Sequence, residues 1–211
     1  MPTPSELLVQ GVRRLGLGAT EQQLARLEAF RVELERWNST YGFVKASGRE
    51  LVVRHFLDSL AGLPRIAALQ PRRRVLDVGS GAGFPGLPLA IFLPDSFFTL
   101  LERSARKAAF LRTAAIRLEL GNVSVEERQL VELHERFSVI TFRAWSPLGR
   151  RELEELAARL EPGGVIAAYK GRRERIRAEA AAAGLREEDL AVEPLAVPFL
   201  REERHLVILR P

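Results

Sequence analysis

Twelve consecutive residues carry most of the chemical information in this sequence. Val75-Leu76-Asp77-Val78 is an apolar run interrupted by a carboxylate, and Gly79-Ser80-Gly81-Ala82-Gly83-Phe84-Pro85-Gly86 follows with glycines at alternating positions. A strand that runs into such a loop and then a helix brings backbone close to a ligand at the carboxyl end of an open α/β sheet, where these sheets bind ligands. Gly81, Gly83 and Gly86 also satisfy G-x-G-x-x-G, so a nicotinamide dinucleotide and S-adenosyl-L-methionine are rival ligands. Charge separates them. A dinucleotide brings a doubly anionic pyrophosphate, whereas S-adenosylmethionine brings an ammonium and a sulfonium. Asp77, two residues before Gly79, is expected to repel the first and receive the second, directly or through water. Glu102 closes the next apolar run 23 residues after Gly79, about the distance at which an acid accepts both ribose hydroxyls.

The remaining composition narrows the chemistry further. No cysteine occurs in the 211 residues, which excludes disulfides, thiolate zinc and Fe–S sites, and a covalent cysteine nucleophile. His55, His134 and His205 stand singly without metal-ligand spacing, so no metal is expected, and His55 reads as a packing or hydrogen-bonding residue rather than a catalyst. Hydrophobic residues at 46% and charged residues at 28% are those of a globular chain. No apolar run approaches the roughly 20 residues of a bilayer span, and the first 14 residues lack a signal-peptide pattern, so a cytoplasmic protein without membrane contact is expected. Lys and Arg outnumber Asp and Glu by 32 to 27 and permit a polyanionic partner; only Lys45, Lys107 and Lys170 are lysines, so guanidinium groups would make most of those contacts.

The elements that must position these residues fall into two textures. Up to about residue 70 the pattern is helical. Thr3-Pro4-Ser5-Glu6 and Thr20 to Gln23 are capping boxes, and apolar residues recur at helical spacing after each. A third helix is expected from about Arg49 to Ala68, with Pro64 kinking it or starting a separate segment, and a polar loop is expected from Asn38 to Gly48. From Arg74 onward the short runs RVLDV, FFTLL, NVSVEE, FSVITF and GVIAAYK alternate with helices expected at 87–92, 104–120, 147–160 and 173–183. Such alternation predicts a parallel sheet covered on both faces. Ala191 to Leu200 and His205 to Leu209, joined by a charged link too short for a crossover helix, are expected to pair as an antiparallel hairpin.

RW-N-x-x-Y at 36–41, VRHFLDSL at 53–60, LDVGSGAGFPGLPLAI at 76–91, RAW at 143–145, YKG at 169–171 and ERHLVIL at 203–209 lie in the same order in a known family. The chain resembles, over nearly its whole length, the bacterial 16S ribosomal RNA (guanine-N7) methyltransferases, the glucose-inhibited division protein B family. The resemblance implies a doubly wound, Rossmann-like class I methyltransferase sheet ending in the antiparallel hairpin, with residues 1–70 a helical extension packed on a domain of residues 71–211 as one unit. It implies S-adenosylmethionine-dependent methylation of N7 of one guanine in the decoding region, with 16S ribosomal RNA or the small ribosomal subunit as partner; a monomer is expected. It sets Gly79 and Phe84 against the cofactor, then Glu102-Arg103-Ser104, with Leu130 and Val131 meeting adenine through backbone and Arg143 ending the fourth strand. Gly42 and Val44 depart from the family's polar pair after Tyr41, and Leu130-Val131 lacks its frequent acid. A nicotinamide-dependent oxidoreductase and a basic ribosome-assembly factor with a vestigial cofactor loop are the competing readings.

For such an enzyme, guanine N7 is an unprotonated lone pair and needs no general base. Arg143 is then expected to position cofactor or guanine, and Trp145 either to stack on the guanine or to close the core. N7 lies in the deep groove of A-form RNA, so the target must sit in a loop or be extruded. Candidate RNA contacts are Arg54, His55, the run containing Lys170, Arg172, Arg173 and Arg175, and Arg204 with His205.

Overall fold

The computed structural model describes residues 2–69, 74–145, 149–186 and 189–211. Helix α1 (Pro4–Arg14) starts where Thr3 Oγ1 accepts from the Glu6 amide while Glu6 Oε2 accepts from the Thr3 amide, at 3.2 and 2.8 Å. Thr20 and Gln23 close the same reciprocal cap on α2 (Glu21–Tyr41). Helix α2 runs three residues past Asn38, where a loop was expected. Asn38 does not end the helix; its side chain instead clasps Val44 N–H and C=O at 2.8 and 2.9 Å, and the helix stops at Gly42, whose φ of 60° suits a residue without Cβ.

The expected third helix is one continuous helical stretch with a change of pitch: α3 (Gly48–Leu51), a π-helical segment (Val52–Leu57) and α4 (Asp58–Ala61). Pro64 lies in the first turn of a separate helix, α5 (Leu63–Leu69). Five parallel strands follow, β1 (Arg74–Val78), β2 (Phe97–Leu101), β3 (Val123–Glu126), β4 (Phe137–Arg143) and β5 (Leu160–Lys170). Helices α6 (Gly86–Phe92), α7 (Ala105–Arg117) and α8 (Arg150–Ala157) and a 3-10 turn (Leu130–Glu132) lie between them. Helix α9 (Arg173–Ala182) leads to β6 (Leu190–Pro194) and β7 (His205–Leu209), and the sheet order is β3-β2-β1-β4-β5-β7-β6 with β7 antiparallel to both neighbours. Among the described residues no helix is long and apolar enough to cross a membrane.

Two further expected spans change. The strand read over 191–200 ends at Pro194: Pro194 and Pro198 have no amide to give a ladder, and Phe199 takes a φ of 67°. The Phe199 ring instead sits 4.4 Å from the Arg14 guanidinium and 5.5 Å from that of Arg49, fastening the β6–β7 loop to the N-terminal helices. The helix read over 147–160 is Arg150–Ala157, because Leu160 already pairs with Phe137 as the start of β5; positions 147 and 148 lie outside the described residues.

Strand alternation decides what each sheet face meets. Val75, Val139, Val165, Ala167, Leu206 and Ile208 pack into one core with Leu8, Phe30 and Phe56 of the N-terminal helices. Leu76, Ile140, Phe142, Ile166 and Val207 pack on the other face with Leu156 and Ile176. By the two-residue period, Asp77, Arg143 and Tyr169 share the face of the helical extension.

Candidate active site

The loop after β1 is held against β2: the Gly79 and Ser80 amides both donate to Leu101 C=O, at 2.8 and 3.1 Å. Its glycines do different work. A Cβ on Gly79 would stand 2.6 Å from Trp145 Cδ1, so this position is bare because an aromatic ring lies over it. A Cβ on Gly83 would meet Leu87 Cδ1 at 2.6 Å and Phe30 Cζ at 3.1 Å, so Gly83 faces the core and not a ligand. Two cavities meet over this loop and share Gly79, Gly81, Lys107, Ala144 and Trp145. The smaller, about 550 Å³, is walled by Leu101, Glu102, Arg103, Leu130 and Val131; the larger, about 950 Å³, by His55, Asp58, Phe84, Arg143 and Tyr169.

Glu102 fits the smaller cavity as a diol acceptor. Oε2 takes the Gly81 amide at 3.0 Å and Oε1 the Ser104 amide at 2.8 Å, so each oxygen is oriented and each keeps a lone pair. Ser104 thus acts through its amide as the N-cap of α7, while Arg103 is exposed at the cavity edge. Asp77 does not face the ligand as expected. It is wholly buried beneath the loop, where Oδ2 accepts from the Gly86 amide at 3.0 Å and Oδ1 has no partner. Burial pushes its carboxyl up to about 7 against the opposing pull of Ser80, the Gly86 amide and Arg143. The charge argument placed on Asp77 therefore does not hold as a surface contact.

Arg143 leaves the end of β4 toward the extension and is held there. Nη1 donates to Arg54 C=O at 2.9 Å and to Asp58 Oδ2 at 3.2 Å, and Nη2 lies 2.7 Å from His55 Nδ1. Its guanidinium carbon also stands 5.3 Å from the centroid of the Phe84 ring, which forms the cavity floor. Arg204 Nε approaches Asp58 Oδ1 at 3.3 Å from the other side. Burial raises the Asp58 carboxyl above its ordinary range even so, with both arginines opposing. Burial, then Arg143 and Arg54, push His55 down to about 3, so its ring is neutral near pH 7.

The model of the rRNA small subunit methyltransferase G family matches residues 23–207 of this sequence. The chain belongs to that family. Ribosomal RNA small subunit methyltransferase G of Ralstonia nicotianae is 42% identical, with 99% of this chain and 96% of that protein covered; its counterpart in Treponema pallidum is 38% identical over the same shares. A methyltransferase from Pyrococcus furiosus superposes with a TM-score of 0.58 at 15% identity, over 90% of this chain and 98% of that one. A ribosomal protein L11 methylase from Lactobacillus delbrueckii gives 0.55 at 15%, over 72% and 76%. These two show the class I methyltransferase fold.

In this member of the methyltransferase G family, the cations read as RNA contacts divide into two sets. Arg172, Arg173 and Arg175 are exposed at the start of α9, and Arg172 and Arg175 line the larger cavity. The others are tied to partners within the protein. His205 is buried and its Nδ1 lies 2.7 Å from Gly171 C=O; Lys170 pairs with Glu179; Arg54 pairs with Glu50 and Glu202; Arg204 with Asp58. Trp145 is half-buried, packs edge-on to Phe142 at 5.6 Å against the core of that sheet face, and lines both cavities as well. Asp58 and Lys107 were missed. A carboxylate three residues after His55, beside Ser59 among the apolar Phe56, Leu57 and Leu60, was the available signal for the first; nothing in the spacing marked the second.

Proposed function

We propose that this chain transfers a methyl group from S-adenosyl-L-methionine to N7 of one guanine in the decoding region of 16S ribosomal RNA. The observation that carries this reading is the junction of the two cavities at a glycine loop, with an oriented diol-accepting carboxylate on one side and a basic-rimmed chamber on the other. Glu102, Gly79, Gly81, Leu130 and Val131 would hold the cofactor. When bound, the cofactor would supply an electrophilic methyl carbon on a sulfonium, which the N7 lone pair could take up while the C–S electron pair stayed on sulfur.

No proton leaves N7, so the residues of the chamber need not act as a base. Their task is orientation and exclusion of water. Arg143 is a positioning residue, since its acceptors are protein groups. Trp145 offers a face for the target base, and Arg172 and Arg175 at the rim meet phosphates, with the guanine extruded or in a loop. Residues 1–70 and 71–211 act as one unit, a cytoplasmic monomer whose partner is the RNA or the small subunit.

The decisive experiment incubates the protein with methyl-labelled S-adenosylmethionine and either small subunits or protein-free 16S RNA, both lacking native modification, followed by nucleoside analysis. Recovery of 7-methylguanosine at one site is the expected result, and the better substrate shows the stage of assembly at which the protein acts. Cofactor binding without transfer to either RNA would favour the vestigial-loop reading.

A further inference from the structure

We propose that His55 reads the target base, donating Nε2–H to O6 of the guanine and thereby separating it from adenine. The inference deepens the guanine-methylation reading and rests on it. It begins with the tautomer. Arg143 Nη2 is 2.7 Å from His55 Nδ1, and a guanidinium has hydrogens to give and no lone pair to offer. Nδ1 is therefore the acceptor, and the neutral ring carries its hydrogen on Nε2. The burial and neighbouring arginines that keep the ring neutral also keep this assignment from changing with pH in the working range.

The ring is fixed as well as its tautomer. Arg143 is anchored in turn on Arg54 C=O and Asp58 Oδ2, and the imidazole centroid lies 5.2 Å from that of Phe84, the residue that follows the glycine loop. His55 lines the larger cavity, and with Nδ1 taken up by Arg143 the Nε2–H is the one donor its ring has left to offer a ligand there. Asp58, the neighbouring carboxylate, is closed off between Arg143 and Arg204.

The reacting edge of the substrate supplies the other half. Guanine shows two acceptors there, N7 and O6; adenine shows the same N7 beside an N6 amino donor. N7 must be left free for the methyl group, so O6 is the one handle on that edge that differs between the purines. A fixed donor matches O6 and opposes N6–H, and a site built to make such a bond rejects the base that lacks it.

The test uses 16S RNA ligated so that the target position carries guanine or 2-aminopurine, which keeps N7 and lacks O6. The wild type should prefer guanine at least about tenfold in kcat/KM. His55→Leu should bring the two substrates within about threefold, by loss on guanine. His55→Gln, which can still accept from Arg143 and donate into the cavity, should recover most of the preference. Cofactor affinity measured by calorimetry checks that each variant is folded; where His55→Leu is not, His55→Asn, whose Oδ1 can accept from Arg143 but whose amide does not reach the Nε2 position, takes its place. Equal rates of the wild type on both bases, or an undiminished preference in a folded Leu variant, would overturn the proposal. Cofactor binding with no transfer to guanine RNA would overturn the methylation reading itself and this proposal with it.

Discussion

At the scale of single residues, the chemistry turns on buried charge. Asp77 holds a proton up to about pH 7 in the fold, while an unfolded aspartate releases it near pH 4. The native state therefore binds more protons between those values, and the contribution of Asp77 to stability falls as pH rises through that window. Asp77→Asn keeps an oxygen for the Gly86 amide and cannot ionise. Its stability relative to the wild type should rise by on the order of 1 kcal/mol per unit from about pH 4 to 7 and then level off, as read from urea unfolding at several pH values. A gap independent of pH would refute the buried titration. Arg143→Ala should cost about 3–5 kcal/mol in the same assay, because it leaves the Asp58 carboxylate buried with Arg204 alone. Residue types were legible in the sequence here, but partnerships were not. Arg143 stands 88 positions from His55, and neither residue's pattern announces the other. For the same reason Asp77 was misplaced: a strand-end carboxylate can face the ligand or the helix behind the loop, and spacing is identical in both cases.

Elements were more legible, because apolar period and turn chemistry act locally. The two capping boxes, the five parallel strands and the final hairpin were all readable from runs and caps. The π-helical segment was not, since apolar spacing over six residues does not distinguish a wider turn from an α-turn. The length of β6 was also misread, where Pro194 and Pro198 outweigh the apolar character of the run. The α4–α5 joint offers a test of how the extension is attached to the sheet. Tyr169 Oη donates to Ser59 C=O at 2.7 Å, and a Cβ on Gly62 would come within 2.4 Å of that same oxygen. Tyr169→Phe should cost about 1–3 kcal/mol by stranding a buried carbonyl, and Gly62→Ala a similar amount by pushing the ring away. Because both act through one hydroxyl, the double variant should lose less than the sum, a non-additivity that thermal unfolding would register. Strict additivity would mean that the two positions are independent.

Across the whole molecule, charge is distributed so that much of the cationic excess is already engaged. Arg54, Lys170 and Arg204 tie elements together, which leaves Arg172 and Arg175 at the rim for phosphate. Replacing both by alanine should lower the log–log salt slope of RNA binding by roughly two, with cofactor affinity unchanged; an unaltered slope would exclude them. The fold as a whole was readable because strand–helix alternation constrains topology, whereas the chamber was not, being walled jointly by helices before the sheet and a strand end after it. That shared construction bears on synthesis. Strand β7, the last element in chain order, is inserted between β5 and β6, and Arg204 just before it supplies the second cation to Asp58. Because a chain emerges from its amino end, every other described element precedes the strand that completes the sheet, and the second cation of Asp58 arrives with that strand. Truncation just ahead of Arg204 should therefore abolish methyl transfer although the glycine loop, Glu102 and Arg143 all remain, and an active truncated protein would refute this.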